Sequence, residues 1–131
     1  MADHQHNYFE NDHPSPFMLH VYKIRPEKRK ELCAVNHVDD TGRLQSVTRE
    51  ENPMYYDLIS AFHRKTGIPV ILNTSFNENE PIVCTPEDAW RCFLGTDIDV
   101  LVLEDFVILK EDMPAAILKE ARTKKVQYES D

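Results

Sequence analysis

The chain has 131 residues, one domain's worth, and its 41% apolar and 29% charged residues exclude both a disordered acidic tail and a membrane protein. Lys and Arg total 15 against 23 Asp and Glu, a formal charge of -8, so no basic face for nucleic acid and no membrane partner are expected. No run approaches the roughly 18 apolar residues of a membrane span, and Met1 to His20 lacks the basic start and apolar stretch of a secretory signal, so the cytoplasm is the expected compartment.

Residues 1–14 are polar, with Tyr8 and Phe9 as the only anchors, and read as a flexible N-terminal arm. From Phe17 to Ile24 the chain alternates, Phe17, Leu19 and Val21 forming the apolar face of an expected strand. Arg25 to Lys30 breaks it. A second strand is expected from Leu32 to Val38, turning at Asp39-Asp40-Thr41-Gly42 and resuming as Arg43 to Val47, a hairpin or tight loop.

Asn52-Pro53 is a cap and first-turn proline, and Tyr55, Leu58, Ile59 and Phe62 follow at helical spacing until Gly67, so a helix with a buried aromatic stripe is expected. Ile68 to Leu72 is short and apolar, a buried strand, and Asn73 to Glu80 is a polar loop at its carboxyl end, where α/β folds place ligands. Thr85-Pro86-Glu87-Asp88 starts a second helix that Gly95 ends. Asp99 to Leu103 and Phe106 to Leu109, separated by Glu104-Asp105, form a hairpin, and a last helix follows Pro114. The expected organisation is an arm, a domain over residues 15–110 and a C-terminal helix and tail over residues 111–131. Its class is α/β (α+β), a mixed β-sheet with packed helices.

Three glycines exclude a glycine-rich phosphate loop, so an anion site must use side chains and helix ends. Cys33, Cys84 and Cys92 form neither a disulfide framework nor a metal knuckle and read as reduced, packed thiols. His4 and His6 are a tail's histidines rather than ligands, and no tightly bound metal is expected. Two polar segments remain. In the first, Arg43 offers a planar fork to a phosphate or carboxylate, held by Asp39 with His37 nearby; the competing reading is a charged hairpin tip. In the second, Asn73, Ser75 and Asn77 point to one side if extended, against the alternative of an Asx-rich turn. A Ser75-His37-Asp39 hydrolytic trio lacks a nucleophile elbow.

Together, Ser15-Pro16-Phe17-Met18, His37-Val38-Asp39-Asp40-Thr41-Gly42-Arg43-Leu44-Gln45-Ser46-Val47, Leu72-Asn73-Thr74-Ser75-Phe76-Asn77 and Glu80-Pro81-Ile82-Val83-Cys84-Thr85-Pro86-Glu87-Asp88-Ala89 resemble the C-terminal domain of the carbamoyltransferases of the NodU and cephalosporin carbamoyltransferase type. The resemblance implies a YrdC-like twisted mixed sheet, truncated here at its N-terminal side, since the family's upstream G-P-R-A-L-G-like and K-x-R-E-x-F-R-P-F-A-P-like segments are absent. It also implies a module that makes carbamoyl-adenylate from ATP and carbamoyl phosphate with Mg2+, for transfer to an acceptor hydroxyl by a Kae1-like domain or subunit in trans. Arg43, Asn73 and Ser75 then bind phosphates or nucleotide, with His37, Asp39 and Asn77 shaping the pocket. Asp40 and Asn79 stand where the family usually has glycine, and both residue types tolerate positive φ. The alternative is a non-catalytic remnant acting as a binding or regulatory module. A sheet without its first elements also invites homo-oligomer formation.

Overall fold

The computed structural model describes residues 1–78 and 81–128 and divides into two compact units, Met1–Asn73 and the part beginning at Thr74. In the first unit, α1 (Gln5–Tyr8) precedes strands β1 (Val21–Lys23) and β2 (Thr41–Arg43), which pair antiparallel with Val21 opposite Arg43, Tyr22 opposite Gly42 and Lys23 opposite Thr41. Strand periodicity sends Tyr22 and Ile24 inward, where they meet Tyr8, Phe9 and Leu32. Ile24 is 0% exposed. Burying each such side chain stabilises the fold by roughly 1.5–3 kcal/mol.

Several expectations change here. The N-terminal segment does not behave as a flexible arm: Tyr8 and Phe9 belong to the core, Phe9 bridges Ile24, and Arg25 N–H donates to the Tyr8 carbonyl at 2.9 Å. The strand from Phe17 shrinks to Val21–Lys23, and its buried parity is the mixed one, Tyr22 and Ile24, while Phe17, Leu19 and Val21 are exposed. Leu32 to Val38 is not a strand. Pro26 opens a 3-10 turn, and Leu32 N–H is taken by the Lys28 carbonyl and Val35 N–H by that of Leu32, local bonds of a turn rather than of a ladder.

Gly42 packs closely on the core: a Cβ there would sit 3.4 Å from both Phe9 Cε1 and the Val35 carbonyl oxygen, at the near edge of van der Waals contact. Asp40 holds φ 64°, the left-handed conformation expected at its glycine-like position. Asn79 lies outside the described residues.

Helix α2 (Pro53–Thr66) forms as its caps dictate, with Asn52 Oδ1 accepting Tyr55 N–H at 3.1 Å and Gly67 closing it at φ 80°. The aromatic stripe is not buried, however. Only Ile59 is in the core, and Leu58 stays 59% exposed. Residues Ile68 to Leu72 form no strand; Pro69 brings no N–H to a ladder, although its side chain is buried.

The second unit begins its regular structure with α3 (Pro86–Gly95). Thr85 Oγ1 accepts Asp88 N–H at 3.1 Å while the Asp88 carboxylate accepts Thr85 N–H at 3.1 Å, a reciprocal capping box. Strands β3 (Val100–Leu103) and β4 (Phe106–Leu109) make the expected hairpin, turning at Glu104 with φ 51°. Ala89, Phe93 and Leu101 form the core, with Phe93 0% exposed. Lys110 Nζ donates to the Phe93 and Thr96 carbonyls, placing a cation on the negative end of α3. Helix α4 (Ala115–Tyr128) follows Pro114. Of the thiols, only Cys92 is packed inside; Cys33 and Cys84 are exposed.

The class is thus mixed α/β, with its strands in two small antiparallel sheets among the described residues. No helix among them is long and apolar enough to cross a membrane.

Candidate functional site

The site grows from the outward face of the β1–β2 ribbon. With Tyr22, Gly42 and Ile24 turned to the core, strand alternation puts Val21, Lys23, Thr41 and Arg43 on the opposite face. Arg43 is exposed and makes no ion pair or side-chain hydrogen bond among the described residues. It is not held by Asp39. That carboxylate instead turns back on Thr41, accepting the hydroxyl at 2.6 Å and the backbone N–H at 3.2 Å. The Thr41 hydroxyl is the main cause of an Asp39 pKa below the ordinary carboxylate value.

His37 completes this cluster. Its Nδ1 lies 3.0 Å from Thr41 Oγ1. A threonine hydroxyl has one hydrogen, and here it goes to Asp39, so toward His37 the oxygen accepts and Nδ1 carries the proton. Asp40, the other nearby carboxylate, is paired with Arg29 at 2.9 Å.

Asn73 reaches the same segment from the other end of the unit. Its Nδ2 donates to Gln45 Oε1 at 2.7 Å, two residues beyond Arg43, so His37, Asp39, Arg43 and Asn73 are tied to one stretch of chain. Ser75 is exposed and Asn77 half-buried, and both belong to the second unit. Sequence reasoning missed Thr41, Gln45 and Lys23. Lys23 shares a face with Arg43, a signal that becomes readable once the register of β1 against β2 is known.

The fit of magnesium was tested on the carboxylates. Asp39 and Asp40 are engaged by Thr41 and Arg29, and the described residues hold no group of three His, Cys, Asp or Glu suited to a metal ion. These two carboxylates therefore offer no open pair of oxygens to a magnesium ion.

The family described as Carbamoyltransferase C-terminus matches residues 1–110. The chain belongs to this family. A Synechocystis protein described as uncharacterized is 44% identical over 135 residues, covering 87% of this chain and 22% of that protein. Nodulation protein NolO of Bradyrhizobium diazoefficiens is 48% identical over 103 residues, covering 78% of the chain and 18% of NolO. The 3'-hydroxymethylcephem-O-carbamoyltransferase of Amycolatopsis lactamdurans, named for O-carbamoylation of a hydroxymethyl group, is 39% identical over 71 residues, 54% of the chain and 13% of that enzyme. The chain thus spans about a fifth or less of the length of these relatives.

Proposed function

We propose that this carbamoyltransferase C-terminal module binds ATP and carbamoyl phosphate and forms carbamoyl-adenylate in the cytoplasm. A Kae1-like transferase domain or subunit then passes the carbamoyl group to an acceptor hydroxyl. In this reading the module adopts the YrdC-like arrangement of its family when completed by upstream segments. Carbamoyl phosphate gives carbamate and phosphate with water; a carbamate oxygen attacks the α-phosphorus of ATP, and pyrophosphate leaves. Two anions must approach each other for that attack, so fixed cations and hydrogen-bond donors carry the catalysis, with magnesium arriving on the ATP phosphates.

The observation that carries this reading is Arg43, an exposed guanidinium without an ion-pair partner among the described residues, in a chain of this family. Five donors in a planar fork suit phosphoryl oxygens, and no internal carboxylate has to be displaced first. Asn73 brings an amide to the same segment of the first unit. The test is a calorimetric titration of the chain with a non-hydrolysable ATP analogue and magnesium, with and without carbamoyl phosphate, on wild type and Arg43→Ala. Binding that the mutation weakens about tenfold supports the reading, and equal binding by both proteins refutes the site.

A second reading, a non-catalytic binding or regulatory module, is favoured by the net charge of -8. It expects no pyrophosphate release from any reconstituted pair of domains, and repeated turnover eliminates it.

A further inference from the structure

We infer that Lys23 is the second cation of the anion site, closing with Arg43 on one phosphoryl group across the outward face of the β1–β2 ribbon. The register puts Lys23 opposite Thr41 and Val21 opposite Arg43, so Lys23 and Arg43 are diagonal neighbours on one face. Diagonal positions of an antiparallel pair lie about 7–8 Å apart, a span that two long cationic side chains bridge around a shared phosphate. Both residues are exposed, and neither has an ion pair or side-chain hydrogen bond among the described residues.

Most other cations of this unit have partners of their own, Lys30 in the turn before β2 being an exception. Lys28 is paired with Glu31, Arg29 with Asp40 and Arg49 with Asp57, while Arg64 and Lys65 complement the negative end of α2. The carboxylates around the face are also accounted for: Asp39 is turned onto Thr41, and Glu10, whose N–H donates to the Lys23 carbonyl at 3.0 Å, makes no ion pair with its ammonium. Two uncommitted like charges on one strand face repel, and an oxyanion between them relieves that repulsion.

This inference rests on the phosphate-binding reading above and deepens it by naming a ligand. The ligand class is a phosphoryl group, whether of carbamoyl phosphate or of ATP. The experiment titrates the chain with inorganic phosphate, carbamoyl phosphate and a non-hydrolysable ATP analogue with magnesium, comparing Lys23→Gln, Lys23→Arg, Glu10→Gln and Lys30→Gln.

Lys23→Gln is expected to weaken binding about fivefold, Lys23→Arg to restore it to within twofold, and Glu10→Gln to strengthen it about twofold. Lys30→Gln, an exposed lysine off this face, controls for the general loss of a charge. The compound whose affinity falls most in Lys23→Gln names the source of the phosphoryl group. If Lys23→Gln behaves as Lys30→Gln while Arg43→Ala still weakens binding about tenfold, the inference fails and the functional reading stands. If wild type binds none of the three at millimolar concentration, both fail.

Discussion

The two antiparallel ribbons of this protein are built alike and finished differently. Each buries one face: Tyr22 and Ile24 in the first, Leu101 in the second. The outward face of β1–β2 then carries Val21, Lys23, Thr41 and Arg43, whereas that of β3–β4 carries Val100, Val102, Val107 and Leu109. Exposure alone therefore does not mark a site. The valines offer a ligand no donor and no charge, while the first ribbon displays two uncommitted cations beside an ordered His-Thr-Asp cluster. The buried faces hold the fold and, in the reading proposed above, Arg43 and Lys23 on the other face of the first ribbon carry the chemistry, a division that substitution can break.

The largest effect belongs to the buried faces. Phe93→Ala removes a fully buried ring under the second ribbon and is expected to cost about 3–5 kcal/mol, and Ile24→Ala under the first about 2–5 kcal/mol. Urea unfolding followed by Trp90 fluorescence, whose indole lies 5.9 Å from the Phe93 ring, reports the former directly. Far-UV circular dichroism reports the latter. A cost under 1 kcal/mol at either residue would mean that the corresponding core does not hold its ribbon.

Next comes the contrast between the exposed faces. Arg43→Ala is expected to leave stability within about 0.5 kcal/mol of wild type, yet to lower affinity for the ATP analogue about tenfold, close to 1.4 kcal/mol. Val102→Ser on the other ribbon should change that affinity by less than twofold. Equal effects of the two on calorimetric binding would erase the distinction between the ribbons.

Smaller still are the helix caps, which serve both units in the same way. Asn52→Ala and Thr85→Ala each remove a side-chain acceptor from a helix start and should cost about 1 kcal/mol by urea unfolding. These caps also explain what the sequence made legible. Asn52-Pro53, Gly67 and Thr85-Pro86-Glu87-Asp88 are local chemistry, satisfied within a few residues, so both helices could be placed from sequence. The β3–β4 hairpin was legible because β-branched runs flank a two-residue turn.

Non-local partners were not legible. Phe17, Leu19 and Val21 alternate as a buried face would, but burial depends on what packs against them, and in this chain the core lies on the Tyr22 side. Leu32 and Val35 are apolar because they pack on that core from a turn, not from a strand. For the proposed site, the motifs drew attention to Arg43, His37, Asp39 and Asn73. Their partnerships were hidden: Asp39 serves Thr41 rather than Arg43, and Lys23 is visible only through cross-strand register.

The smallest expected effect tests the order within the cluster. Hydrogen bonds from Thr41 favour the ionised Asp39 and depress its pKa. A depressed carboxylate pKa contributes stability that is present above the unfolded value and is lost as pH falls through the folded one. The window therefore lies at and below the ordinary aspartate range, and neutral pH leaves the cluster intact. Thr41→Val deletes the hydroxyl but keeps the backbone N–H, so the Asp39 carboxyl signal, followed by 13C NMR, should titrate closer to its ordinary value without fully reaching it. The same variant removes the acceptor for His37 Nδ1–H. Its 15N ring shifts should then lose the Nδ1-protonated signature expected of wild type, and Thr41→Ser should restore it. Unchanged ring shifts in Thr41→Val would mean that Thr41 does not set the tautomer, and that the outward face presents Arg43 and Lys23 without an oriented histidine beside them.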